Sequence, residues 1–323
     1  MKVKQLLLAA LAATTMVVAN ACDSDQVKIG VLKFVNVPPL NDAHDGFVAA
    51  LDEAGINYAI NMHDANADGS LVAASSLTLV GESDLVLGIA TPAASGLKAA
   101  RTTKGRDIPI LFTAVTDPVY SGLMSDAAHP DGNITGTSDM NPVREQIELF
   151  TRLGLTIDKI GMIYCSTETN SVRQEELAQA ACDDLGITLE VEVFAESGQV
   201  SAAMDALIES GIDGLYTPTD STLVANYSTV RAKTDAATIP IIGGEAAHLD
   251  LGAVATLSID YFDLGKLTGE MAVELLSGTS IAELPVRTLT DTPLILSIDN
   301  ADGIGLTFPQ TLIDEADEVI DEA

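Results

Sequence analysis

The chain alternates β-branched apolar runs with helical stretches, and after Asn141 the alternation starts again. That pattern leaves few folds open. Val27 to Phe34 reads as a strand, with a helix following over about Ala43 to Ala54. Asn57 to Asn61 is a second strand, with a helix near Ser70 to Val80. Asp84 to Ala90 and Ile108 to Ala114 are near-continuous apolar runs, as buried parallel strands require. Between them Thr91-Pro92 opens a helix, with Thr as N-cap and Pro in the first turn. The second series is strand Lys159 to Tyr164, helix Ser171 to Leu185, strand Thr188 to Phe194, helix Val200 to Ser210, strand Gly214 to Thr217, helix Ser221 to Thr234 and strand Pro240 to Gly243. Gly252 to Ser258 reads as a strand, Tyr261 to Ser277 as an amphipathic helix and Leu294 to Ile298 as a final strand. The acidic tail Asp314 to Glu322 reads as a solvated helix. Two successive βαβ series predict two doubly wound α/β domains with a cleft between them.

The first 22 residues stand outside this pattern. Lys2 and Lys4 precede an apolar run from Leu6 to Val18, which leads into Ala19-Asn20-Ala21-Cys22. A basic start, a short apolar core and small residues before a cut make a bacterial export signal. The run is too short for a permanent membrane span, and no later segment reaches about 18 consecutive apolar residues. The cut is open to two readings. Ala19-x-Ala21 suits release of a soluble protein, whereas the same residues before Cys22 resemble a lipobox, which leaves Cys22 lipidated and the protein tethered. Either way the expected location is extracytoplasmic: periplasm or cell surface.

Composition narrows the chemistry. There are 47 Asp and Glu against 16 Lys and Arg. Binding to nucleic acid needs clustered basic side chains, so that partner is excluded, and a polybasic membrane-surface role is disfavoured. The acidity reads as a solvated, solubilising surface. Four scattered His and no Cys-x-x-Cys give no metal-site spacing. Cys165 closes a predicted strand and Cys182 lies late in the next helix, some 15 Å or more away at about 1.5 Å rise per residue. A disulfide needs Cα atoms within about 7 Å, so none is expected. No nucleophile elbow, phosphate-cradling Gly-rich loop or His-Glu-x-x-His occurs, and no catalytic residue is assigned.

In open α/β sheets ligands bind beyond the carboxyl ends of the parallel strands. That rule selects five loops. Ala90-Thr91-Pro92-Ala93-Ala94 offers free N–H groups at a helix start, suited to a carboxylate, with the Thr91 hydroxyl beside them. In Thr113-Ala114-Val115-Thr116-Asp117-Pro118, Thr113 and Thr116 are the contact candidates, while Asp117-Pro118 looks like a turn. The others are Cys165 to Ser171, Thr217-Pro218-Thr219-Asp220 and Gly243-Gly244-Glu245, whose glycines allow close backbone approach. Asp220 and Glu245 are the carboxylates placed in the cleft, where they would hold an ammonium group.

At these loops the sequence resembles the bacterial tryptophan/tyrosine-type ABC-transporter substrate-binding proteins, a branch of the type I periplasmic-binding fold. The matching segments run in order along nearly all of the mature chain: 29–35, 88–94, 109–119, 132–139, Asn170-Ser171, Pro218-Thr219-Asp220 and Gly244-Glu245. The resemblance implies two Rossmann-like lobes joined by a three-crossover hinge. The first would comprise 23–140 plus about 250–290, the second about 141–249 plus 291–323. It implies a small amino-acid-like ligand, most commonly Trp, Tyr or Phe, delivered to a membrane permease driven by an ATPase, without a cofactor. By position, Thr91, Thr113 and Thr116 would meet the carboxylate, and Asn170, Asp220 and Glu245 the ammonium. Asp139 near the first crossover and the neighbouring Ser171 are further candidates. Where the family often reads Gln-Phe-Val-Glu-His-Pro, this chain reads Lys33-Phe34-Val35-Asn36-Val37-Pro38, which implies a less polar side-chain pocket. Phe34 could stack on an aromatic ligand or belong to the core. A sensory binding protein, a binder of a non-aromatic metabolite and an exported hydrolase using Asp220 and Glu245 are the rival readings.

Overall fold

The structure is a computed structural model that describes residues 26–321. The export segment and Cys22 lie outside the described residues. The first half runs β1 (Val27–Lys33), α1 (Pro38–Glu53), β2 (Tyr58–Asp64), α2 (Gly69–Glu82), β3 (Leu85–Ile89), α3 (Thr91–Lys104), β4 (Ile110–Thr113) and β5 (Ile134–Ser138). The second series is α4 (Val143–Phe150), β6 (Lys159–Cys165), α5 (Thr169–Leu185), β7 (Thr188–Phe194), α6 (Val200–Glu209), β8 (Gly214–Thr217), α7 (Ser221–Val224), α8 (Tyr227–Ala237), β9 (Ile241–Gly243), α9 (Ala247–Leu251) and β10 (Ala255–Leu257). The last elements are α10 (Tyr261–Leu276), β11 (Arg287–Thr288), β12 (Leu294–Ser297), α11 (Ile298–Gly303), α12 (Gln310–Glu315) and β13 (Glu318–Ile320).

The strands form two sheets, ordered β11-β5-β4-β3-β1-β2 and β13-β12-β10-β9-β8-β6-β7. Every pairing is parallel except β10 with β12. The doubly wound expectation is met. The central strands β3, β4 and β8 are buried along their whole length, which explains their continuous apolar runs. Each sheet has its own apolar core. Cys165 and Cys182 are buried, free, and fall in different clusters of the second.

Three local expectations are corrected, and one strand, β5, was not expected. Ala255–Leu257, assigned by resemblance to the first lobe, pairs with β9 and β12 in the second sheet. The chain returns to the first lobe only after it, through 258–260. The helix expected over Ser221 to Thr234 is two helices, because Asn226 leaves helical geometry and turns its amide onto the Thr222 carbonyl at 2.7 Å. The acidic tail ends as a strand: Asp317 exchanges bonds with Leu294, its N–H donating to the Leu294 carbonyl at 2.9 Å and its carboxylate accepting from the Leu294 N–H at 2.8 Å, which starts β13 along β12. The strand β5 within 132–139 is short and was visible only as a motif.

Helices α1 and α10 lie against each other across the first lobe. A Cβ on Gly46 would fall 1.9 Å from the Phe262 carbonyl oxygen, and one on Gly265 would fall 1.9 Å from that of Ala43. Only glycine permits so close a crossing. The crossing brings the start of α1 and the start of α10, with Tyr261, to the same mouth between the sheets.

Candidate ligand-binding site

A narrow cavity of about 20 Å³ lies between the two sheets, at the carboxyl ends of their parallel strands. The first lobe contributes Val37, Pro39, Leu40, Ala90, Thr91, Ala114 and Thr116. The second contributes Asn170, Thr219, Asp220, Ser221 and Glu245, and Asp139 and Tyr261 enter from the crossovers. Six of the nine sequence candidates or their loops therefore converge here: Thr91, Thr116, Asp139, Asn170, Asp220 and Glu245 line the space themselves.

The other three do not. Phe34 is buried in the first-lobe core, its side chain among the residues packed under α1. Thr113 is fully buried, and its hydroxyl accepts a 3.2 Å bond from Thr137, which in turn meets Thr268 of α10. Ala114, the next residue, takes the cleft position just past the end of β4. Ser171 stands one layer back and donates to Asp220 at 2.8 Å. The resemblance placed these three by neighbourhood, and neighbourhood in sequence does not say which way a side chain points.

Thr91 is present for a different reason than expected. The N-cap of α3 is Ala90, with φ 80° and ψ 156°, and Thr91 is already helical. The Thr91 hydroxyl is thus not spent on capping; it is buried and has no partner. Ala90 and Ala114 (φ 54°) both carry left-handed backbone at the cavity wall. Non-glycine residues in such regions cost about 1–3 kcal/mol each and concentrate at functional sites.

Glu168, which sequence reading passed over, organises the second-lobe wall. It stands at the N-cap position of α5 without its side chain bonding that helix's N–H groups, and its buried carboxylate accepts from the Thr222 N–H at 2.8 Å and the Thr222 hydroxyl at 2.6 Å. Asp220 accepts from the Cys165 N–H at 2.6 Å, the Leu223 N–H at 2.7 Å and the Ser171 hydroxyl at 2.8 Å. Burial raises both carboxyl pKa values, and for Glu168 the adjacent Asp220 charge adds to it. An acid in a polar loop ahead of a helix was the available signal for Glu168. Gly244 makes the close approach expected of it: a Cβ there would sit 2.8 Å from the Thr217 carbonyl oxygen. Its own carbonyl accepts from Asn141 at 2.9 Å and Gln146 at 3.1 Å, tying this loop to the first crossover. Asn141 also accepts from the Ile259 N–H at 3.0 Å, joining the first crossover to the second. His248 Nε2 stands 3.2 Å from Glu245 Oε1, off the line of a hydrogen bond.

Buried polar atoms in folded proteins nearly always find a partner. Among the described residues eight buried side-chain atoms do not, and four of these face this one cavity: Thr91 Oγ1, Asp139 Oδ1, Asn170 Oδ1 and Thr219 Oγ1. The Asn170 amide is oriented by its own donation to the Thr219 carbonyl at 2.9 Å, so its oxygen is the free end. Asp139 accepts from the Tyr261 hydroxyl at 2.8 Å through its other oxygen, and burial lifts its pKa to about 6. No Lys or Arg lines the cavity, while Asp139, Asp220 and Glu245 do. The free atoms therefore demand hydrogen-bond donors and a positive charge on one side. Thr91, at the start of α3, supplies a donor on the other, and the nearby Val37, Pro39, Leu40 and Ala114 form an apolar wall. The Val37 that departs from the family pattern faces inward, whereas Asn36 is exposed.

Among the described residues no helix is long and apolar enough to cross a membrane, and no group of His, Cys, Asp or Glu is arranged to hold a metal ion. The family model for ABC transporter substrate-binding proteins matches residues 28–320. A tyrosine-binding protein of Clostridioides difficile (strain R20291) is 35% identical over 279 residues, covering 85% of this chain and 79% of that one. The structure resembles an ABC domain from Streptococcus pneumonia solved in complex with L-Trp (34% identity, TM-score 0.87, 91% of this chain and 100% of that one). It resembles less closely the ligand-free, open form of a substrate-binding protein with adhesive properties from Clostridium difficile (31% identity, TM-score 0.68, 92% of this chain and 100% of that one). With most of its length matched by the family model, the chain belongs to the ABC transporter substrate-binding protein family.

Proposed function

We propose that the protein binds an aromatic L-amino acid between its lobes, outside the cytoplasm, and delivers it to an ABC permease driven by its ATPase. The observation that carries this reading is the set of four unpartnered atoms in one cavity. Asp139 Oδ1 and Asn170 Oδ1 take the α-ammonium, with Glu245 and Asp220 adding negative potential. The Thr91 hydroxyl and the start of α3 take the carboxylate. The side chain lies against Val37, Pro39, Leu40 and Tyr261. The names of the similar proteins agree with this ligand class, one being a tyrosine-binding protein and another a complex with L-Trp. Closure is a hinge motion through crossovers at about 139–142, 258–260 and 289–293, with 26–140 and about 258–290 as one lobe and about 141–257 and 291–321 as the other. Export follows the N-terminal signal, and a lipid on Cys22 would hold the protein at the membrane.

The test is calorimetric titration with L-Trp, L-Tyr and L-Phe, set beside tryptamine and indole-3-propionate, which lack the carboxylate and the ammonium. Saturable binding of at least one amino acid, with both analogues much weaker, is expected. Absence of binding by every L-amino acid, with no ligand retained from expression, would overturn the reading.

A further inference from the structure

Beside the cavity, a group of side chains joins the two lobes directly. Asp117 follows the cavity residue Thr116, and Arg173 lies one turn along α5 from the cavity residue Asn170. Arg173 Nε donates to Asp117 Oδ2 at 3.2 Å, and its NH1 nitrogen donates to Glu176 at 3.0 Å. The Tyr120 hydroxyl reaches across to the other Glu176 oxygen at 2.9 Å. The guanidinium carbon stands 5.4 Å from the Tyr120 ring centre, over its face. Asp117 also accepts from the backbone N–H groups of Val119 and Tyr120, at 3.1 and 2.9 Å, which sets the loop that carries it.

These contacts run from the loop after β4 to a helix of the second lobe. None lies in a crossover, so hinge opening separates Arg173 from Asp117 and from the Tyr120 ring, and Tyr120 from Glu176. Tyr120 is 41% exposed although it is a large aromatic side chain, and it does not line the cavity. The Arg173–Glu176 pair also lies within α5, but the bonds from Arg173 to Asp117 and from Tyr120 to Glu176 join one lobe to the other.

We infer that Asp117, Tyr120, Arg173 and Glu176 form a latch that holds the lobes closed over the ligand and sets its release rate. This rests on the cleft being the binding site. The latch forms after the ligand has entered, so it acts on dissociation and leaves association nearly unchanged. An exposed ion pair and a cation–π contact together correspond to about a tenfold change in the closed population. The pair is partly exposed, so salt weakens it.

The experiment is stopped-flow release of L-Trp. The chain contains no Trp, so the indole signal belongs to the ligand alone. Arg173→Ala is expected to speed release about tenfold, Tyr120→Phe less, and Arg144→Ala on the same lobe not at all, because Arg144 pairs with Asp184 and Glu148 within the second lobe. A change of less than twofold in Arg173→Ala, or an equal loss in association rate, would overturn the latch. Spin-label distances between the lobes separate this from failure of the functional reading. Should the wild type bind no amino acid, that reading falls, while the latch still predicts longer separations in ligand-free Arg173→Ala. Identical distance distributions would then overturn it.

Discussion

Replacing Asp139 with Asn removes one charge from the cavity without changing its shape. The Asp139 carboxyl is fully buried, and burial raises its pKa from 3.8 to about 6 in spite of the Tyr261 bond that opposes the shift. Between those values the folded protein holds a proton that the unfolded chain has released. Stability of the ligand-free protein therefore falls as pH rises from about 4 to about 6, by roughly 3 kcal/mol at 1.36 kcal/mol per pKa unit. Asp139→Asn has no such proton, and its amide oxygen can still accept from Tyr261. Urea denaturation of both forms across pH 4 to 7.5 isolates the term, since the other carboxylates contribute alike and cancel in the difference. The variant should gain on the wild type through this window and be the more stable form at pH 7.5. It should also lose about 10- to 100-fold in affinity for the amino acid, the worth of a hydrogen bond to a charged group. Wild-type affinity should rise through pH 6 as Asp139 ionises against the ammonium. A flat difference across pH would refute the burial argument, and undiminished affinity would refute the assigned contact.

The other residues separate by what their atoms already do. Asp220→Ala strands three buried donors, at about 1–3 kcal/mol each, so denaturation should show a loss of several kcal/mol with or without ligand; a loss below about 1 kcal/mol would contradict its organising role. Gly244→Ala drives a methyl group against the Thr217 carbonyl and the backbone of Pro218 and Thr219, and should cost about 1–3 kcal/mol and weaken binding together. Ala90→Gly relieves left-handed backbone at the start of α3 and should stabilise the protein by about 1 kcal/mol in the same assay. A destabilised variant would show that the strain argument is wrong.

The doubly wound fold followed from the alternation because buried parallel strands must be apolar throughout and helices must cover both faces. Val31 and Leu87 sit where such strands place them, fully buried. What the alternation could not show was direction. Thr113 and Ala114 are adjacent, yet one faces α10 and the other the cleft. The five loops named from strand ends all reach the cavity, but Val37, Leu40 and Tyr261 reach it from helix starts brought together by the crossing at Gly46 and Gly265. That is a tertiary contact between segments over 200 residues apart, and no local pattern encodes it. The tail failed for a similar reason: Asp314 to Glu322 has helical composition, but an open sheet edge at β12 offered its backbone partners. Glu168 was missed because a buried acid and a surface acid are the same letter until the donors of Thr222 are seen above it.

The most direct test is a diffraction structure of the protein with the amino acid that titrates most tightly. The account predicts the ammonium within about 3 Å of Asp139 Oδ1 and Asn170 Oδ1. It places the carboxylate at the Thr91 hydroxyl and the start of α3, and the side chain against Val37 and Leu40. A ligand turned end for end, or seated with Asp139 Oδ1 and Asn170 Oδ1 still unpartnered, would contradict it.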